Sequence, residues 1–165
     1  TSTKQLEDLR NSLNQKRDGG LPTISVCGGT GCSAQGSNEM REAFKSLIKE
    51  KGIKANLLFT GCHGFCENGP LVVIGPKKVF YNQVKAEDVP EIVEKTLLKG
   101  KLVERLLYVD PATKKRVEYE GDVPFYQKQQ RRIFGLNGKI AWRGGGNIVS
   151  RAPFSEACAF GFVVS

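Results

Sequence analysis

The order of patterned segments predicts an α/β fold of the plan βαβ–ββα, with an N-terminal helix before it and a basic extension after it. Three observations carry this. Short apolar runs with β-branched residues lie at 23–27, 54–60 and 71–74. Segments 38–51 and 86–98 instead repeat apolar residues at spacings of three and four, the period of a helix face. Glycine and proline punctuate the boundaries between most of them. A thioredoxin-like arrangement follows from that order.

Taken along the chain, residues 3–16 form the first helix, with Leu6, Leu9 and Leu13 on one face, which is expected to pack on the following domain. Arg17-Asp18-Gly19-Gly20 ends it and Pro22 prevents its return. Ile24 and Val26 mark a strand over 23–27. Ser37 is placed to cap the next helix by accepting a backbone N–H. Met40, Phe44, Leu47 and Ile48 form the apolar stripe of that helix, and Gly52 ends it. The strand around Asn56-Leu-Leu-Phe59 then runs into Cys62. A helix joining two such strands makes a right-handed crossover, so the strands are parallel and both following loops leave from one sheet edge.

Residues 71–74 are the third strand, and Gly75-Pro76-Lys77-Lys78 turns the chain into a hairpin partner at 79–81. Pro70 precedes the third strand, where a thioredoxin-like plan often has a cis proline facing the redox loop. The helix over 86–98 directs Val89, Ile92, Val93 and Leu97 inward, carries Pro90 in its first turn and ends at Gly100. Beyond it, a hairpin is expected around Asp110-Pro111 and a short helix within 125–133. The organisation is thus an N-terminal helix (1–20), an α/β domain (21–100), a connector (101–140) and an irregular tail (141–165).

The chemistry is concentrated between Val26 and Pro70. Four of the five cysteines lie there, as Cys27-x4-Cys32 and Cys62-x3-Cys66, each pair just after a strand. Two loops on one edge bring four thiols to one centre. Gly28, Gly29, Gly31, Gly61 and Gly64 allow the backbone close to that centre, where amide N–H groups can donate to sulfur. The centre is read as a [2Fe-2S] cluster, and the chain as a one-electron carrier. Structural zinc also uses paired cysteines at similar spacings, so a zinc-bound docking module is the alternative. A thiol–disulfide protein is a further alternative, although its usual Cys-x2-Cys spacing is absent.

Other motifs weigh less. Gly29-Thr-Gly31-Cys-Ser-Ala34 matches a dinucleotide fingerprint by chance, because the second strand ends in Thr60-Gly61 without the acidic residue that binds ribose. His63 is the single histidine, which closes a two-histidine Rieske centre. Cys158 is read as a spare thiol. The formal charge is +8, and residues 97–165 hold twelve basic and six acidic side chains. The cysteine-bearing part is nearly neutral, which argues against nucleic acid and leaves the connector as a solvated segment or a surface for an acidic partner. No apolar run approaches the roughly 20 residues of a membrane span. Five cysteines and a polar N-terminus point to a reducing, cytoplasmic setting.

The cysteine pattern, the phrase Gly61-Cys62-His-Gly-Phe-Cys66-Glu-Asn-Gly-Pro70 and the ββα ending resemble the thioredoxin-like [2Fe-2S] ferredoxins. The chain is more closely similar to the N-terminal segment of the flavin-containing, NAD(P)H-oxidising subunit of multimeric [FeFe] hydrogenases. That subunit is homologous to the NADH-binding flavoprotein subunit of NADH:quinone oxidoreductase. Residues 125–138 are similar to the connector that precedes the flavin domain there. The resemblance implies Cys27, Cys32, Cys62 and Cys66 as cluster ligands. It implies FMN and NAD(P) only in a further part of such a subunit, and flavin or iron–sulfur subunits as partners; a homo-oligomer is compatible with it.

Overall fold

The computed structural model describes residues 3–17, 20–131, 135, 137 and 138. The expected tail, Cys158 and the end of the connector lie outside the described residues. Helix α1 (Thr3–Arg17) comes first, followed by β1 (Thr23–Cys27), α2 (Thr30–Ala34), α3 (Ser37–Glu50) and β2 (Asn56–Thr60). Strands β3 (Val72–Gly75) and β4 (Val79–Tyr81) form the hairpin. A 3₁₀ turn (Ala86–Asp88), α4 (Val89–Ile92) and a wider turn (Val93–Leu98) then make one continuous helical segment. The sheet order is β2-β1-β3-β4, with β1 and β2 parallel and the other pairs antiparallel. This is the predicted βαβ–ββα plan.

One local expectation, the cap of α3, needs correction. Ser37 is the first residue of α3, not its cap; Gly36 occupies the cap in a left-handed conformation (φ +93°), and the buried Ser37 hydroxyl has no hydrogen-bond partner among the described residues. A left-handed turn favours glycine because it lacks a Cβ, and it closes off α2 before α3 begins. Of the leucine face expected to pack on the domain, Leu6 is half-buried, and the side chains of Leu9 and Leu13 lie outside the described ones.

Both faces of the sheet are covered, because alternate residues of a strand point to opposite sides. Ile24, Val26, Val72, Ile74, Val79 and Tyr81 pack with Met40 and Phe44 of α3 and Val89, Ile92 and Val93 of the final helical segment. Leu71, Val73 and Phe80 face the other way, with Cys27 and Cys32. That second face is closed by the residues after Gly100. A short hairpin, β5 (Tyr108–Val109) with β6 (Arg116–Val117), is followed by α5 (Pro124–Gln127). Tyr108 and Val123 are buried beside Phe65 and Phe80. Completely burying a side chain such as Phe80 or Val123 contributes about 1.5–3 kcal/mol.

The same segment also covers the sheet edge. Bridges join Val79 to Tyr119 and Tyr81 to Leu107. The Phe80 N–H donates to the Glu118 carbonyl at 2.8 Å and the Glu120 N–H to that of Lys78 at 3.0 Å. Residues 103–126 are therefore packed onto the domain. The basic residues Lys114, Lys115 and Arg116 remain exposed, at the far end of the β5–β6 hairpin.

Candidate metal centre

Cys27 is the last residue of β1 and pairs in register with Thr60, the last residue of β2. The two strands are parallel neighbours, so both loops emerge together, as the crossover argument predicts. The Gly28 N–H donates to the Thr60 carbonyl at 2.8 Å, which ties the two exits to each other. Cys32 then sits on the single turn of α2, and Cys66 opens a 3₁₀ turn, Cys66–Asn68. The four cysteines are free thiols.

The thiols fall into two pairs. Cys27 and Cys32 are both fully buried, and each is the main influence on the other's titration. Cys62 Sγ and Cys66 Sγ are 3.6 Å apart on the solvent side, with Cys66 exposed. Thiolates on one tetrahedral metal with bonds of about 2.3 Å lie about 3.7 Å apart, so the spacing of the second pair suits one metal atom. Among the described residues, no three His, Cys, Asp or Glu side chains gather around a point fit for a single ion. Two pairs drawn from two loops thus offer four thiols at one end of the β1–β2 pair.

The glycines between the pairs form a cradle. A Cβ on Gly29 would lie 2.9 Å from Cys62 Cβ and 3.1 Å from its sulfur. One on Gly69 would lie 2.8 Å from Cys32 Sγ. Bare backbone at these positions is what lets the loops close around the sulfurs. The Gly69–Pro70 peptide is cis, as the thioredoxin-like plan anticipates.

Main-chain amides stabilise negative charge on the sulfurs. That of Gly64 donates to Cys62 Sγ at 3.3 Å, those of His63 and Gly29 favour the Cys27 thiolate, and that of Leu71 favours the Cys32 thiolate. Gly29 and Gly64 thus do what the sequence suggests, whereas the Gly28 amide is engaged by Thr60. The His63 and Leu71 amides carried no glycine signal and were not foreseen. Cys27 is held well below the ordinary thiol range, first by the hydrogen bond from Cys32 and then by these amides. Its partner Cys32 is pushed up for the same reason, since the two share one proton. Burial raises Cys62. A buried thiolate stabilised by N–H donors is a ready metal ligand.

His63 is buried and not among the thiols. Its Nε2 lies 3.0 Å from Thr60 Oγ1 and its Nδ1 3.2 Å from Glu120 Oε1. A carboxylate only accepts, so Nδ1 carries a proton towards Glu120, while the Thr60 hydroxyl beside Nε2 also donates to the Val26 carbonyl at 3.3 Å. The Arg131 guanidinium donates to the His63 carbonyl at 2.6 Å. Phe65 stacks on Phe125 with ring centroids 4.3 Å apart. The segment after Gly100 therefore grips the second cysteine loop at three points. The position of Glu120 and Arg131 so far along the chain hid them from any motif.

The profile of the family Thioredoxin-like [2Fe-2S] ferredoxin matches residues 12–97. A 2Fe-2S ferredoxin of Aquifex aeolicus is 44% identical over 79 residues, covering 46% of this chain and 71% of the relative. One from Clostridium pasteurianum is 38% identical over 77 residues, covering 46% and 76%. A crystal structure of a cysteine-to-serine variant of the thioredoxin-like [2Fe-2S] ferredoxin from A. aeolicus superposes with a TM-score of 0.50 at 37% identity, covering 52% of this chain and 96% of that one. Fold, thiol cradle and relatives agree: the chain belongs to the thioredoxin-like [2Fe-2S] ferredoxins, and is an electron carrier.

Proposed function

We propose that Cys27, Cys32, Cys62 and Cys66 hold the cluster, Cys27 and Cys32 on one iron and Cys62 and Cys66 on the other. The observation that carries this is the convergence of two thiol pairs at the paired ends of β1 and β2, within a cradle that a single added Cβ would fill. When bound, such a cluster accepts and returns one electron at a time. The protein supplies the rest. Cys27 and Cys32 anchor the buried side. The amides of Gly29, His63, Gly64 and Leu71 stabilise charge on sulfur. Cys66 is exposed, so the Cys62–Cys66 side is the one that a redox partner would reach.

The test is the iron and acid-labile sulfide content of anaerobically purified protein, with an electron-spin spectrum of the reduced form. Two irons and two sulfides per chain are expected. Cys62→Ser should abolish the native spectrum, and Cys158→Ser should leave it unchanged. A colourless protein with one zinc per chain, retained after anaerobic reconstitution, would overturn the assignment.

The domain further serves as a relay inside an NAD(P)H-oxidising or hydrogenase complex, next to a flavin domain. Support comes from the likeness of residues 125–138 to the connector of such flavoprotein subunits, and from the way residues 103–126 bind back onto the domain. Purification of the native assembly through this chain should yield FMN and NAD(P)H-dependent reduction of the cluster. A preparation with full cluster, no flavin and no pyridine-nucleotide oxidation would leave a free-standing carrier instead.

A further inference from the structure

Tyr126 has a hydroxyl that the protein does not use. Its ring is wedged between Phe65 and Phe80, with centroids 5.9 Å away in each case, and the Arg131 guanidinium lies over it at 5.5 Å. The oxygen is buried, yet it has no hydrogen-bond partner among the described residues. Buried hydroxyls in folded proteins are nearly always paired, and each exception asks for a partner from outside the polypeptide. The environment indicates which. Phe65 sits between Cys62 and Cys66 in the chain, and Tyr126 packs on it and against the buried group that holds Cys27 and Cys32. Its surroundings therefore include both cysteine loops. Burial is the main cause that pushes this phenol upward, so it keeps its proton and remains a donor.

We infer that the Tyr126 hydroxyl donates a hydrogen bond to a sulfur of the cluster and thereby raises its reduction potential. The inference rests on the ligand set proposed above. Tyr126 lies beyond residues 12–97, the span that the family profile matches, so the donor comes from the segment that follows the ferredoxin core. Reduction adds negative charge to the cluster. An O–H dipole pointing at sulfur stabilises the reduced form more than the oxidised form, and hydrogen bonds to sulfur are a recognised determinant of potential.

Tyr126→Phe in the full chain removes only the hydroxyl. After anaerobic reconstitution, iron and sulfide content should match the wild type, and the melting temperature of the cluster-free protein should not fall, because no protein group loses a partner. The midpoint potential, titrated by the electron-spin signal, should drop. A second readout is vibrational: an iron–sulfur stretching band that shifts in D₂O should lose part of that sensitivity in Tyr126→Phe. An unmoved potential together with unchanged deuterium sensitivity overturns the inference. If Cys62→Ser retains the native spectrum, the ligand set falls and takes this inference with it. If Cys62→Ser abolishes the spectrum while Tyr126→Phe changes nothing, the inference alone falls.

Discussion

His63 Nδ1 lies 3.2 Å from Glu120 Oε1, although 57 positions separate them in the chain. The contact ties the second cysteine loop to the segment that crosses the opposite face of the sheet. Removing the carboxylate leaves a buried N–H without its partner, at a cost of about 1–3 kcal/mol. Glu120→Ala should therefore lower the stability of the cluster-free protein in urea unfolding by that amount. Glu120→Gln, which still accepts, should lose less. Equal losses in the two variants would mean that the hydrogen bond is not what stabilises the loop.

Arg131 holds the same loop from outside. Its guanidinium donates to the His63 carbonyl, and a Cβ added at Gly64 would lie 2.8 Å from its Nη2. Arg131→Gln should speed amide exchange across residues 62–66 and hasten iron loss to a chelator. Arg131→Lys should recover only part, because an ammonium cannot reproduce the planar fork. Full recovery by lysine would reduce the role of Arg131 to charge alone.

The glycine cradle separates two substitutions of the same chemical size. A Cβ at Gly29 collides with Cys62, whereas one at Gly31 meets Cys66 Sγ at 3.6 Å, an ordinary contact. Gly29→Ala should lower cluster content severalfold on reconstitution. Gly31→Ala, within α2, should load like the wild type. Iron and sulfide analysis of the pair checks this.

Asp110 organises the β5–β6 hairpin. It accepts from the Thr113 hydroxyl at 2.7 Å and from the Ala112 N–H at 3.0 Å, and these bonds hold its carboxyl below the usual range. A carboxylate with a depressed folded-state pKa stabilises the fold above its unfolded pKa and loses that contribution as pH falls through the folded value. Asp110→Ala should thus be less stable than the wild type at pH 7, and the gap should narrow towards pH 3. Urea unfolding at both values measures it; a gap independent of pH would assign the effect to turn geometry.

Periodicity and punctuation located the four strands and the two longer helical segments of residues 23–98, but not the short helix α2, which forms within the stretch expected to be a glycine loop. The helix expected over Asn38–Lys51 is Ser37–Glu50, and the strand centred on Asn56–Phe59 is Asn56–Thr60. These signals are local: side-chain period, β-branching and glycine positions act within a few residues. The parallel pairing of β1 and β2 was also legible, because the handedness of the crossover leaves one arrangement. Ser37 is not the cap because the glycine before it, Gly36, takes the left-handed position and starts α3 one residue earlier.

By itself, the sequence determined the strand–helix order, the four thiols and the edge from which their loops leave, since each depends on near neighbours and on one topological rule. Tertiary structure alone decided which amides favour which thiolate, that Cys27 and Cys32 are buried while Cys66 is exposed, and that Glu120, Tyr126 and Arg131 return to the cysteine loop. Those contacts join residues dozens of positions apart. They exist because the second face of the sheet is apolar and must be covered, and no local pattern states which later segment will cover it.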